Sequence, residues 1–316
     1  MSLNTWVFAA AGVLMPVAAI GCSGDDDEAA SEPGKVTAFI GMENGAPETT
    51  LWDAEHSQLY VVDNTENRIW TWTEKNGLAQ VASLPAPDSS EELPGNVTLG
   101  QAALLKDGTL VVTRFGQPGG GYGGIGFVRP DEEGTLVPNL DETRRRLGLA
   151  LAPDGTLYGS YFAGRMGELS GFLTTVDLDA GEAVVADGFG KIVGLAIADG
   201  RLYVSDQSRG KIVDAPLDDL PEHAEDWHEL ATLDVPDQIC VGPQKSLFSG
   251  QFQAAEGSDE PMAVRQINAD GSVEVFKQDP DVTKPSGLSY DPEGRKLYVA
   301  DSGNSAKIGV HVFEVP

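Results

Sequence analysis

LYVAD (297–301) is the last of six similar short segments in this chain, and their spacing decides the fold. Each segment is an apolar strand, usually with an aromatic residue, that ends at a polar or Gly-rich turn. The other five are LYVVD (59–63), LVVTR (110–114), LYGSY (157–161), LYVSD (202–206) and LFSGQ (247–251). Their last residues are 51, 47, 45, 45 and 50 positions apart. Such a repeat is typical of a propeller blade, so the sequence predicts an all-β, six-bladed β-propeller.

The two ends of the repeat region predict how the ring closes. After LYVAD only GVHVFEV (309–315) remains, which is enough for a third strand but not for a fourth. At the other end, KVTAFI (35–40) precedes the first blade and has no partner of its own. We expect this N-terminal strand to complete the last blade, because one pairing then removes two open sheet edges. The predicted propeller domain spans 35–316.

Charge separates the possible classes of partner. The chain of 316 residues has 49 acidic and 21 basic residues, a net charge of −28 and a pI near 4.3. A surface of this sign repels phosphate backbones, so we expect no nucleic-acid partner. The acidic surface either attracts cations or only keeps the protein soluble. We expect a monomer.

The N-terminal segment resembles a bacterial lipoprotein signal. An apolar stretch, WVFAAAGVLMPVAAI (6–20), is followed by Cys22, and then by the acidic, small-residue sequence SGDDDEAASEPG (23–34). We therefore expect a signal segment over 1–22, lipidation of Cys22 and a tether over 23–34, with an ordinary cleaved signal or an uncleaved anchor as alternatives. All three place the domain outside the cytoplasm. A lipid anchor would place it in the bacterial cell envelope, on the periplasmic side or at the outer membrane.

One end of the central channel should collect one residue from each blade. Aligning the blades on the six segments gives a ring of residues at the start of the innermost strands: Glu48, Leu99, Leu147, Val193, Asp237 and Ser286, with Arg146 as an alternative to Leu147. The polar members fall on neighbouring blades and the apolar members occupy the opposite half. Two carboxylates with a hydroxyl between them suit a hard cation that prefers oxygen ligands.

The residues PETTLWD (47–53) and VPDQIC (235–240) resemble the metal-binding motifs of the senescence-marker-protein/gluconolactonase family. Members of that family are six-bladed propellers with a divalent metal in the central channel. The resemblance implies that Glu48 and Asp237 are metal ligands, with calcium as the expected cation. The family's third ligand, an Asn before Gly-Leu, is replaced here by Val193.

Two functions follow from this resemblance. The first is a divalent-metal-dependent lactonase or related ester hydrolase of the cell envelope, in which Asp237 also moves a proton for the attacking water. Its substrate pocket would contain the remaining ring residues, namely Leu99, Arg146, Leu147, Val193 and Ser286. The second is a non-catalytic, lipid-anchored propeller that binds a ligand or a protein, which the missing third ligand favours.

Several other conspicuous residues can be explained by structural roles rather than by a functional site. Asp63, Asp206 and Asp301 end strands beside turns, where Asp usually caps backbone N–H groups. The run GQPGGGYGGIG (116–126) predicts a solvated loop, or a lid, and lacks the Lys-Ser/Thr of a phosphate loop. Glu48 and Asp237 themselves have a simpler alternative as solvated loop acids. Cys240 suits a buried, inert thiol.

Overall fold

The ring of blades is closed by pairing between the N-terminal strand and the last strand of the chain. The structure is a computed structural model that describes residues 34–85, 98–116, 121–164, 168–251, 262–278, 281–303 and 307–316. Strand β1 (Val36–Gly41) pairs antiparallel with the final strand of the chain, with Gly41 opposite Gly309 and Val36 opposite Phe313. The predicted N-terminal closure is confirmed. The predicted signal segment, the Cys22 lipidation site and most of the predicted tether lie outside the described residues.

The first three blades follow in chain order, and each is a four-stranded antiparallel sheet. Blade one contains β2 (Pro47–Asp53), β3 (Gln58–Asp63), β4 (Arg68–Thr73) and β5 (Gly77–Ser83). Blade two contains β6 (Thr98–Leu104), β7 (Leu110–Gly116), β8 (Gly124–Val128) and β9 (Thr135–Leu136). Blade three contains β10 (Arg145–Leu151), β11 (Leu157–Ala163), β12 (Ser170–Asp177) and β13 (Gly181–Phe189).

The last three blades repeat this order, except that blade six takes its fourth strand from the N-terminal segment. Blade four contains β14 (Ile192–Ala198), β15 (Arg201–Asp206), β16 (Lys211–Pro216) and β17 (His228–Thr232). Blade five contains β18 (Ile239–Val241), β19 (Leu247–Ser249), β20 (Ala263–Ile267) and β21 (Val273–Gln278). Blade six contains β22 (Pro285–Asp291), β23 (Lys296–Asp301), β24 (Gly309–Glu314) and β1. Short 3-10 turns lie at Thr65–Asn67, Gln207–Arg209, Ala224–Asp226 and Pro243–Lys245. The sequence prediction of six blades is confirmed.

The hydrophobic core is divided among the blade interfaces. Each pair of neighbouring blades encloses one apolar cluster, so the six clusters follow the six contacts around the ring. The contact between blades six and one includes Ile40 of β1 together with Leu59 and Val310, all buried. Each sheet therefore buries both faces against its neighbours, which a single blade could not do. In the described part of the chain, no helix is long and apolar enough to cross a membrane.

Candidate functional site

Five of the six predicted ring residues lie at or next to β-bulges near the start of the innermost strands, and Asp237 lies two residues before β18. The pairing of β2 with β3 shifts register between Pro47 and Thr49, and the pairing of β14 with β15 shifts between Ile192 and Gly194. Equivalent shifts in blades two, three and six fall at or next to Leu99, Leu147 and Ser286. A bulge changes the direction of a side chain at the rim of a closed sheet. These bulges gather the ring residues at one end of the channel, which we call the mouth.

Buried aspartates hold the loops that lead into the mouth. Asp63 accepts hydrogen bonds from the Ala46 and Thr65 N–H groups at 2.8 and 2.9 Å. Asp206 accepts one from the Gly190 N–H at 2.7 Å, and Asp301 accepts one from the Lys284 N–H at 2.9 Å. In each blade one donor, namely Ala46, Gly190 or Lys284, lies two or three residues before the ring residue. The capping interpretation of these residues is confirmed, and they position the site without belonging to it.

Gln101 closes the channel beneath the mouth. Its Oε1 accepts hydrogen bonds from the N–H groups of Leu149 and Leu195, at 3.0 and 2.7 Å. Its Nε2 donates to the oxygens of Leu195 and Ile239, both at 3.1 Å. One side chain from blade two therefore joins blades three, four and five. Beyond it the channel continues as a separate cavity of about 440 Å³.

Glu48 is buried and held at several points. Its Oε2 accepts a hydrogen bond from Asn64 Nδ2 at 3.0 Å, and its main-chain oxygen accepts one from Ser286 Oγ at 2.7 Å. Gln238 reaches across the channel from blade five, with Nε2 3.5 Å from Glu48 Oε1. Burial, together with the charge of Asp237, raises the pKa of Glu48 to about 8. An unpaired buried carboxylate resists ionisation, so Glu48 holds its proton near neutral pH.

Asp237 is the second buried acid of the mouth, and with Glu48 it forms what we call the acidic pair. Burial raises its pKa to about 6, although the Lys191 charge and a hydrogen bond from the Gln238 backbone oppose the shift. Its own N–H donates to the Gly250 oxygen at 3.0 Å, which fixes the chain just before β18. The two acids therefore differ near pH 7, where Asp237 is mostly ionised and Glu48 is mostly protonated.

Two basic residues lie beside each other on blades three and four, and we call Arg145 and Lys191 the cationic pair; of the two, Lys191 senses the charges of the acidic pair. Burial lowers the pKa of Lys191, the charges of Asp237 and Glu48 oppose this shift, and the Arg145 charge adds to it. Lys191 Nζ donates to Gln207 Oε1 at 2.6 Å, and Gln207 Nε2 donates to the Pro236 oxygen at 3.1 Å. This chain of bonds connects Lys191 to the residue before Asp237.

The wall behind the cationic pair is apolar. Leu147, Phe162 and Val193 form a buried cluster with Phe115 packed against it. The Arg145 guanidinium lies 5.5 Å from the Phe115 ring centre and 5.9 Å from that of Phe162. The predicted apolar half is therefore present at Leu147 and Val193, but it carries two cations that the ring alignment did not include.

Three residues predicted to line the substrate pocket have surroundings that differ from that prediction. Arg146 is fully buried and bonds to Glu182, with Nη2 2.6 Å from Oε1, so its placement in the substrate pocket is wrong and Leu147 is the ring residue. Leu99 packs in the core between blades one and two, so its side chain does not line the mouth. The hydroxyl of Ser286 is used by the Glu48 main chain, which makes it a positioning residue.

The sequence contains a pattern that could have identified the cationic pair, which was not among the predicted ring residues. Arg145 and Lys191 each stand two positions before a ring residue, so they occupy the same place in two neighbouring blades. Gly follows the ring residue in four blades, at Gly100, Gly148, Gly194 and Gly287. A Cβ at Gly194 would lie 2.8 Å from the Ile239 nitrogen, so neighbouring inner strands approach too closely there for any other residue.

The donor chemistry of the acidic pair fits a divalent cation. Two carboxylates converge, and Gln238 Oε1 is a buried oxygen with no hydrogen-bond partner among the described residues. Calcium takes oxygen ligands of this kind. The same part of the chain contains no group of three or more His, Cys, Asp or Glu side chains that could hold a metal ion. Neutral oxygens and water would therefore have to complete the coordination.

Comparisons with known proteins support the fold. No family model matches the chain, and no curated protein matches it either. A gluconolactonase structure from Xanthomonas campestris superposes with a TM-score of 0.66 at 16% identity, over 90% of this chain and 95% of that one. A calcium-binding regucalcin from Agrobacterium tumefaciens gives 0.64 at 14% identity, over 89% and 92% of the two chains.

Another similar structure comes from a different enzyme class. Virginiamycin B lyase from Staphylococcus aureus, solved with quinupristin, superposes with a TM-score of 0.58 at 11% identity, over 88% of this chain and 99% of that one. At these identities the likeness concerns the fold. The predicted resemblance to gluconolactonase-type propellers is confirmed at that level, and hydrolases and lyases are both found among the similar structures.

Proposed function

We propose that this protein is a hydrolase of lactones or related esters, with its active site at the channel mouth. The observation that supports it most directly is the acidic pair, in which Asp237 has a pKa of about 6 and Glu48 a pKa of about 8. Buried carboxylates with separated pKa values are characteristic of acid–base sites. The same pair in a solvated loop would have no reason to be buried.

In the proposed reaction Asp237 carries the proton. Its ionised carboxylate takes a proton from water as the water oxygen attacks the substrate carbonyl. The bond from the carbonyl carbon to the ring or alkoxy oxygen then breaks, and Asp237 returns the proton to that leaving oxygen. The products are an acid and an alcohol, joined in one molecule for a lactone. A base with a pKa near 6 is well matched to this transfer at neutral pH.

A divalent cation, with calcium as the first choice, is part of this proposal. Glu48, Asp237 and Gln238 Oε1 would hold it, and Asn64 orients Glu48 for that purpose. When bound, the cation would polarise the substrate carbonyl. It would also remove the penalty of placing two carboxylates in a buried site, since both could then ionise.

The test is metal analysis of the purified protein together with a panel of lactones and aryl esters. We expect hydrolysis that depends on Asp237, with kcat/KM falling at acid pH as this carboxylate takes up a proton. The bound cation would keep Asp237 ionised to a pH below the value of about 6 that it has without metal. Asp237→Asn should reduce kcat/KM by about 10²-fold or more, which is the usual effect of removing a general base. Asp234→Asn is the matched control, because Asp234 is an exposed acid three residues earlier. Absence of hydrolysis across the panel would contradict the proposal.

A second candidate is a non-catalytic propeller that binds a ligand or a protein at the mouth. It is favoured by the apolar Val193, which contributes no oxygen beside the acidic pair. This function predicts ligand binding without turnover, and no effect of Asp237→Asn on any hydrolysis. The same panel therefore separates the two candidates.

We also propose that the domain is held in the bacterial cell envelope by a lipid on Cys22, as a monomer. The support is the sequence pattern of an apolar stretch, small residues, Cys22 and an acidic tether. Cys22→Ser should release the protein from the membrane fraction, because that one residue would carry the acyl chains. A Ser variant that still sediments with membranes would indicate an uncleaved anchor or another mode of attachment.

A further inference from the structure

Three consecutive arginines begin blade three, and only the middle one has no carboxylate partner in the described part of the chain. Arg144 Nη1 lies 3.2 Å from Glu182 Oε1, and Arg146 Nη2 lies 2.6 Å from the same oxygen. Arg145 instead lies over the aromatic rings of Phe115 and Phe162. In a chain with 49 acidic and 21 basic residues, a half-buried arginine without an acid is unusual.

Lys191 stands against the same two rings as Arg145. Its Nζ lies 5.9 Å from the ring centres of Phe115 and Phe162, and these rings are 5.8 Å apart. Lys191 forms no direct ion pair in the described residues, although it senses the charges of Glu48 and Asp237. Two cations are thus held beside each other over a shared aromatic surface. Their repulsion would be relieved by an anion placed between them.

The position of Lys191 is fixed from both sides. Its side chain donates to Gln207 Oε1 at 2.6 Å, and its backbone N–H donates to Ser208 Oγ at 2.7 Å. The Gln207 N–H in turn donates to the Lys191 oxygen at 2.8 Å. An ammonium has three N–H donors, and Gln207 uses one. The remaining donors are available to a ligand.

We propose that the cationic pair is an anion subsite, and that the mouth selects substrates carrying a carboxylate on an apolar body. Lys191 and Arg145 bind the carboxylate, and Phe115, which is only partly buried, contacts the apolar part with the buried Phe162 behind it. The claim that the bound molecule is a substrate rests on the proposed hydrolase function. The claim that the cationic pair binds a carboxylate does not depend on hydrolysis.

The arrangement would also orient the substrate. The acidic pair lies on blades one and five, and the cationic pair on blades three and four. A molecule with a carboxylate at one end would turn that end toward Lys191 and Arg145. Its carbonyl would then point toward Asp237. Charge complementarity of this kind contributes to specificity and positioning. The buried cluster of Leu147, Phe162 and Val193 supports this wall from behind.

Binding of 2-naphthoate and of its neutral isostere, 2-naphthamide, to the full-length protein tests this by calorimetry. We expect the acid to bind at least tenfold more tightly than the amide, and the difference to shrink with added salt. Lys191→Met should remove most of the preference. Lys191→Arg should retain part of it, because the charge remains. Lys211→Met is the control, since Lys211 is a surface lysine of the same blade that pairs with Glu229.

Equal affinities of the wild-type protein for the acid and the amide would overturn the proposal, and this comparison needs no variant to fold. A preference that survives Lys191→Met intact would do the same. The outcomes also separate the subsite from the hydrolase. Naphthoate binding without hydrolysis of any ester supports the subsite and rejects the enzyme. Asp237-dependent hydrolysis without a preference for acids supports the enzyme and rejects the subsite.

Discussion

Asn64 Nδ2 donates a hydrogen bond to Glu48 Oε2 at 3.0 Å and thereby fixes the orientation of a carboxylate at the start of β2 in the same blade. The same side chain accepts a hydrogen bond from the Leu99 N–H at 2.7 Å through its Oδ1. One amide therefore connects the ring positions of blades one and two. It has no charge, so it orients Glu48 without neutralising it.

Asn64→Ala should impair the site more than the fold. Loss of the donor leaves Glu48 free to turn, so we expect kcat/KM and cation affinity to fall about 10- to 100-fold. The Leu99 N–H loses its acceptor, which should cost about 1–3 kcal/mol in the free energy of unfolding. Kinetics and urea denaturation measure the two effects. Asn76→Ala, at an exposed turn of the same blade, should change neither.

Because of Glu48, we expect the free energy of unfolding of the metal-free protein to decrease as the pH rises. Its pKa is raised from 4.5 to about 8, so the folded protein binds this proton more tightly than the unfolded chain does. The free energy of unfolding should therefore fall between pH 5 and 9. Glu48→Gln should remove about 4 kcal/mol of that fall. Thermal denaturation in chelator across this range is the measurement.

Two comparisons control the pH experiment. Glu55→Gln changes an exposed acid of the same blade and should leave the pH profile as in the wild type. Calcium should reverse the decrease in the wild type and have no such effect in Glu48→Gln, since mass action on the native state needs the ligand. A wild-type profile that rises with pH in chelator would contradict the assignment of Glu48.

Val193→Asn should make stability depend on the cation. Val193 is fully buried in the apolar cluster, so an amide at this position that finds no hydrogen-bond partner should lower the free energy of unfolding by about 1–3 kcal/mol. If a cation is held by Glu48 and Asp237, the new oxygen should tighten its binding, and calcium should restore the lost stability. Any activity should also shift from hydrophobic toward polar lactones. Destabilisation that calcium leaves unchanged would show that position 193 does not reach the cation.

Removal of β1 should open the ring. Deleting residues 1–41 exposes the edge of β24 and removes Ile40 from the core between blades six and one. We expect aggregation, or a melting temperature at least about 10 °C lower, from an unpaired edge and a lost apolar contact. Deleting residues 1–33 should be tolerated. Equal melting temperatures for the two truncations would contradict the role of β1.

The number of blades, the closure of the ring and the two acids of the mouth could be predicted from the sequence. The six segments ending at Asp63 through Asp301 repeat with a spacing typical of propeller blades. The leftover strand at 35–40 and the missing fourth strand of blade six require each other. Glu48 and Asp237 could be found because they lie at similar distances, 15 and 14 residues, before the ends of their repeat segments.

Which side chains become neighbours at the mouth depends on the packing of the blades. Arg145 and Arg146 are consecutive and point to opposite faces of β10, and the contacts between elements determine that Arg145 meets the aromatic rings while Arg146 pairs with Glu182. Lys191 and Asp237 are 46 positions apart in sequence, and the closing of the ring brings their charges together. Repeat spacing specifies the backbone of each blade. The direction of a side chain at a bulge, and the charge it meets across the channel, depend on packing between blades.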